Sequence, residues 1–264
     1  MTRILDAQDK IPQTARVSGS EFTHLTSLLN VCARAQVILR ASGTPVSRSP
    51  TGGHRVMWGI GRFIEAHIRD TFIKADGEHR VYGTWSCLCG LSNYSGFLNP
   101  REPRCTSCGQ QPTNYHELTL YDAAYGVSGN PDMGVLINGL MYPIEIKSMN
   151  SAQWTDLERP LPDHVLQAGG YHRLYQSNGF DMGDRAIIIY CVKEFKYGSP
   201  YKEFHVPMGS SADAHVTTSL DIMWRTARDI KNGSMKSLPP RVCHDMECTR
   251  SKDCPAMATC WSMN

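Results

Sequence analysis

The dipeptide Asn138-Gly139, set between Ile137 and Leu140, constrains this chain more tightly than any other feature. A two-residue type I′ hairpin turn needs positive φ at both central residues, and Asn-Gly is the pair that accepts it most readily. The turn fixes a register. With Ile137 facing Leu140, counting outward places Asp132 across from Glu145 and Asn130 across from Lys147 on the same side. Directly opposed side chains have Cβ atoms about 5 Å apart, and two carboxylates so held repel by roughly 3 kcal/mol at an effective dielectric near 20. A cation is expected there. Mg²⁺ or Mn²⁺ accepts oxygen ligands in such a pair, with Lys147 beside them as a charge stabiliser or water-orienting group. Taken alone, the hairpin also describes a surface ribbon whose acids are satisfied by Lys147.

The surrounding pattern predicts a helix opened by a Ser18/Glu21 capping box and running to about Arg40, with Phe22, Leu25, Leu28, Leu29 and Cys32 on one stripe. A Gly/Pro/Ser-rich link, Ser42 to Gly53, leads to a second helix from about Val56 to Lys74, closed by Gly77 and carrying Glu65. Strands are expected at 116–122, 131–137 and 140–148, then a helix over Pro162–Ser177. A buried strand at Arg185–Val192, an alternating strand at Tyr201–Val206 and a helix over Asp213–Asn232 follow. The fold class is therefore α/β, a mixed central sheet flanked by helices. Residues 80–115 read as an inserted module within a single domain spanning 1–264, and residues 238–264 as a cysteine-laden tail.

Gly129-Asn130-Pro131-Asp132, followed after twelve residues by Glu145-Ile146-Lys147, resembles the PD-(D/E)XK nuclease superfamily. Gly61-Arg62-Phe63-Ile64-Glu65 resembles the helix that supplies a further metal ligand there, with Glu65 where RecB-type members often have histidine. Gln167-Ala-Gly-Gly-Tyr171 resembles the Gln-x-x-x-Tyr helix motif of the RecB-like branch. The resemblance implies a restriction-endonuclease-like core and metal-dependent hydrolysis of DNA. It assigns Glu65, Asp132, Glu145 and the Ile146 carbonyl to Mg²⁺ or Mn²⁺, Lys147 to the transition state, and Gln167 and Tyr171 to positioning the strand. His67 reads as a structural residue. An exonuclease on DNA ends or single-stranded regions, in replication, recombination or repair, is favoured. A structure-selective or restriction-type endonuclease and a non-catalytic zinc/Fe-S nucleic-acid-binding protein are the alternatives.

Ten cysteines in a chain without a signal-like start point to metal rather than disulfides. Cys87-Leu-Cys89 and Cys105-Thr-Ser-Cys108 read as two knuckles closing a four-thiolate structural zinc site. Trp85, Tyr94, Phe97, Arg101 and Arg104 nearby could touch DNA or pack a miniature core. Cys32 followed by Cys248, Cys254 and Cys260 resembles the iron-sulfur RecB-like nucleases, including the CRISPR-associated exonuclease, in which a [4Fe-4S] cluster clasps the chain ends. The spacing from Cys248 to Cys254 is longer than usual, so Cys243 could replace Cys248, and a C-terminal zinc knuckle is the rival for the tail. Cys191 reads as a core residue.

A formal charge of +2 announces no partner by itself. No apolar run approaches the roughly 18 residues of a membrane span, and Met1 to Arg16 is polar and mixed, so a cytoplasmic, nucleoid-associated location is expected.

Overall fold

The chain was described by a computed structural model, which defines residues 22–30, 33–42, 52–75, 81–90, 93–97, 104–110, 114–194, 198–233, 238–241, 243–252 and 254–263. Its elements in order are β1 (Thr23–His24), α1 (Leu25–Asn30), α2 (Ala33–Ser42), α3 (Gly52–Ala75), β2 (Val81–Ser86), β3 (Asn93–Phe97), β4 (Asn114–His116), β5 (Leu120–Asp122) and β6 (Val127–Gly129). There follow β7 (Met133–Ile137), β8 (Leu140–Met149), α4 (Ser151–Thr155), α5 (Pro162–Ser177), β9 (Arg185–Val192), β10 (Tyr201–Pro207), α6 (Ala214–Lys231), α7 (Thr249–Lys252) and α8 (Met257–Ser262). They divide into two compact units. One takes the described residues of Met1–Gly59, Ala123–Val127 and Asp221–Asn264, the other those of Ile60–Asp122 and Ser128–Leu220.

The larger unit is organised by a sheet of order β10-β9-β8-β7-β2-β3, with β4 also paired to β2. The central hairpin forms as its turn requires: Asn138 and Gly139 have φ of 51° and 82°, and Ile137 pairs with Leu140 and Met133 with Ile144. β8 and β9 run parallel, so their connection must cross a face of the sheet, and it does so through α4 and α5. Period-two alternation along β8 then sorts the two cores. Ile144 and Ile146 join Met133, Val135 and Ile187 in one cluster, against Ile64, Ile68 and Phe72 of α3. Met149 joins Ile188 and Tyr190 in the other, with Val165 and Ala168 of α5. The mixed sheet flanked by helices is the architecture expected from the sequence. Cys191 is buried in the first cluster, as a core residue should be.

Several boundaries differ: α3 begins at Gly52, ahead of the expected Val56. The strand expected at 116–122 is broken into β4 and β5, leaving 117–119 free of the ladder. The hairpin strand starts at Met133, because Pro131 has no N–H and the Asp132 side chain takes a backbone donor itself. The first expected helix is interrupted: the Thr23 N–H donates to the Gly126 carbonyl at 2.7 Å, which holds the backbone extended before α1 begins. Ser18, Glu21 and Gly77 lie outside the described residues.

In the smaller unit, Ala35, Ile38 and Leu39 of α2 pack on Ala256 and Cys260 beside α8. Arg34 donates to the Pro239 and Met263 carbonyls, both at 3.1 Å, so the first helices and the tail are bound together in that unit. No described helix is long and apolar enough to cross a membrane.

Candidate metal centres

Asp132 sits just before β7, on the extension of a register that pairs Met133 with Ile144. Its Oδ2 accepts the Ile146 N–H at 2.7 Å, which locks the carboxylate against β8. Glu145 is 2% exposed; its Oε1 is paired with the Lys147 ammonium, and its buried Oε2 has no hydrogen-bond partner among the described residues. Glu65 comes from α3, held by Arg69 one turn on at 3.1 Å.

The structure adds an acid that the sequence reading missed. Ligand oxygens of Glu65, Glu117 and Asp132 all lie within 4.8 Å of one another. β2 is responsible for this convergence. Its first residues pair with β7 and its last with β4, along the same edge. Continuing both registers by one residue brings Glu117 and Met133 opposite Gly83 from the two directions, which delivers Glu117 beside Asp132. Gly83 must lack a side chain, because a Cβ there would lie 2.1 Å from the Tyr115 ring. That ring carries the Arg69 guanidinium 4.8 Å above its centroid, and the Tyr115 hydroxyl donates to the Asp132 carbonyl at 3.2 Å.

The electrostatics register the crowding. Burial, then the Glu145 and Glu65 charges, push Asp132 well above the usual carboxylate range. Burial also raises Glu145, against the pull of Lys147. Burial, then the Glu65 charge and a hydrogen bond with Glu65, bring Glu117 up to about 7. Burial works against the Lys147 charge, but Glu145 and Asp132 outweigh it and hold the ammonium above its ordinary range. Four carboxylates thus meet the cationic side chains Arg69 and Lys147, leaving an excess of two negative charges when all are ionised. An all-oxygen donor set with that deficit and a buried orphan oxygen fits one hard divalent cation.

Gln167 is buried, and its amide donates to the Tyr171 hydroxyl at 3.2 Å. Tyr171 is itself buried, raised by burial and then by Glu145, so this helix face reaches the carboxylates through Tyr171 with Gln167 behind it. His67 is exposed and stacks on Phe63 at 6.2 Å, away from this group.

The four thiols of Cys87, Cys89, Cys105 and Cys108 converge within 4.8 Å, with Cys87–Cys108 and Cys89–Cys105 separations of 3.3 and 3.5 Å. A disulfide would need about 2.05 Å. Tetrahedral thiolates around zinc at ~2.3 Å stand about 3.8 Å apart, close to what is seen. Each knuckle closes on a positive-φ residue directly after its second cysteine, Gly90 and Gly109. Trp85 is buried in the main core of the sheet with Ile68, Val81 and Met133, and donates its indole N–H to the Gly96 carbonyl at 3.0 Å, so it packs neither against DNA nor in a separate miniature core. Arg104 is bonded to the Gly109 carbonyl, and Arg101 lies outside the described residues.

In the smaller unit, Cys243, Cys254 and Cys260 line one cavity. Cys248 is engaged by the Asp245 carbonyl and the Ser251 N–H, both at 3.4 Å. Cys32 lies outside the described residues.

No protein-family model matches the chain, and no curated protein matches it. Among solved structures it is similar to the crystal structure of SSO0001, at 13% identity and a TM-score of 0.41, covering 99% of this chain and 96% of that one. It is also similar to an alkaline exonuclease from Laribacter hongkongensis, at 12% identity and a TM-score of 0.44, covering 88% of this chain and 95% of that one.

Proposed function

We propose that this chain is a metal-dependent DNA nuclease acting at DNA ends or single-stranded regions. The observation that carries the reading is the convergence of Glu65, Glu117 and Asp132 next to the buried Glu145–Lys147 pair. A protein that only bound nucleic acid would gain nothing from gathering carboxylates, since they repel phosphate. Asp132, Glu145, Glu65 and the Ile146 carbonyl, with Glu117 beside them, would hold Mg²⁺ or Mn²⁺. When bound, the ion lowers the pKa of a coordinated water and polarises the phosphate. Lys147 then stands where charge develops on the phosphate oxygens and stabilises it. Tyr171 and Gln167, buried behind the carboxylates, would help position the strand indirectly, through the wall they form. Action at ends follows from the order of Glu65, Asp132, Glu145-Ile146-Lys147 and Gln167 along the chain, which resembles the RecB-like branch.

Zinc at Cys87, Cys89, Cys105 and Cys108 would be structural, since four thiolates leave no open position for substrate. In the tail, Cys254 and Cys260 with Cys32 and either Cys243 or Cys248 would hold a [4Fe-4S] cluster. The shared cavity favours Cys243.

Digestion of end-labelled linear and closed circular DNA with Mg²⁺ or Mn²⁺ tests the reading. Loss of linear DNA with circles intact is expected. Cutting of circles would make the enzyme an endonuclease, and no cutting of either would overturn the proposal.

A further inference from the structure

His164 stands in the first turn of α5, three residues before Gln167, so helical spacing puts both side chains on one face. Tyr190 of β9 is fully buried and neighbours Lys147 in the parallel register of β8 and β9. Its hydroxyl has two partners: the Leu161 N–H donates to it at 3.0 Å, and His164 Nδ1 lies 2.7 Å away. A phenol has one proton to give. If Nδ1 also donated to it, the phenolic proton would have no acceptor among the described residues, at a buried site where an unmade hydrogen bond costs about 1–3 kcal/mol. The Tyr190 O–H therefore donates to Nδ1, and the neutral ring carries its own proton on Nε2.

The environment keeps the ring neutral. Burial, and then the nearby Lys147 charge, hold His164 down at about 4. No partner for Nε2 is found among the described residues, and the ring is half-buried, so that edge can reach a ligand. A fixed, uncharged donor thus stands near the Lys147 ammonium.

We propose that His164 is a substrate-contacting residue whose Nε2–H donates to a phosphate oxygen of the nucleic-acid strand held beside Lys147. The inference rests on the nuclease reading for its substrate class. His164 takes up and gives no proton in this role; Tyr190 aims it, and Lys147 supplies the charge.

Two substitutions separate contact from packing. His164→Gln keeps an N–H donor near the Nε2 position and loses the acceptor for Tyr190. His164→Asn keeps an acceptor near Nδ1 and has nothing at Nε2. In Mg²⁺-dependent cleavage of a labelled single-stranded oligonucleotide, the Gln variant should stay within a few-fold of wild-type kcat/KM. The Asn variant should lose roughly tenfold or more, the loss expected for one hydrogen bond to a charged oxygen. The opposite order, with both variants folded by thermal unfolding, would show that the ring serves only Tyr190 and would overturn the proposal. Imidazole ¹⁵N NMR gives a readout without turnover: adding the oligonucleotide with Ca²⁺ should shift the His164 Nε2 signal. Binding that shifts this signal without any cleavage in Mg²⁺ supports the contact and overturns the nuclease reading. Cleavage with an unmoved signal overturns the contact and leaves that reading standing. Neither binding nor cleavage overturns both.

Discussion

The buried carboxylate of Glu145 is paired with the ammonium of Lys147, two residues further along the same strand. The pair is the resting counterbalance of the carboxylate group, and breaking it strands a buried charge. Lys147→Ala should destabilise the metal-free protein by about 3 kcal/mol, the usual penalty for removing one partner of a buried pair. Saturating Mg²⁺ should recover much of this, since a cation then faces Glu145. Denaturant unfolding with chelator and with Mg²⁺ checks both; equal loss in the two conditions would place no cation beside Glu145.

Glu117 gives the metal-free protein a pH dependence of defined sign. Its folded pKa of about 7 lies above the ordinary 4.5, so the folded state binds its proton more tightly than the unfolded chain. That stabilisation is fully present below 4.5 and is lost as pH rises to about 7. Thermal unfolding in chelator should show stability falling across this window, and Glu117→Gln should flatten the fall. The same variant should weaken the rise in Tm produced by Mg²⁺.

Gly134 and Tyr175 test the packing beneath the site. A Cβ on Gly134 would lie 2.3 Å from the Tyr175 hydroxyl, and that hydroxyl is buried without a hydrogen-bond partner among the described residues. Gly134→Ala should cost about 1–3 kcal/mol by overpacking. Tyr175→Phe should be near neutral or stabilising, because it removes an unsatisfied polar atom. The double variant should recover part of the Ala penalty; strictly additive effects in denaturant unfolding would contradict the contact.

The cysteine module predicts a metal stoichiometry. Elemental analysis should find zinc in the wild type and its loss in Cys105→Ser, while iron content is unchanged. Because β4 leaves the module and leads directly into Glu117, the same variant should also bind Mg²⁺ more weakly, read as a smaller Tm rise. An unaltered Mg²⁺ response would uncouple the module from the carboxylates.

The parts legible in the sequence were those fixed by local chemistry. Asn138-Gly139 set a register that the strands keep, and the Pro162–Ser177 helix and the Arg185–Val192 strand have the bounds their patterns gave. Glu117 was not legible, because it is placed by β2 changing partners from β7 to β4, a pairing between segments far apart in the chain. The expected strand at 116–122 hid the break that frees it, between β4 and β5. The motif that drew attention to Gln167 did not carry its burial behind Tyr171, which depends on packing that no motif encodes.

The central claim is that these carboxylates and Lys147 cleave phosphodiester bonds with a divalent ion. Its most direct test is the single-turnover rate on an end-labelled DNA, for wild type and Lys147→Ala at saturating Mn²⁺. Removing one such charge stabiliser is expected to cost on the order of 10²–10³-fold in rate while the variant still binds Mn²⁺. Equal rates in the two proteins would contradict the account.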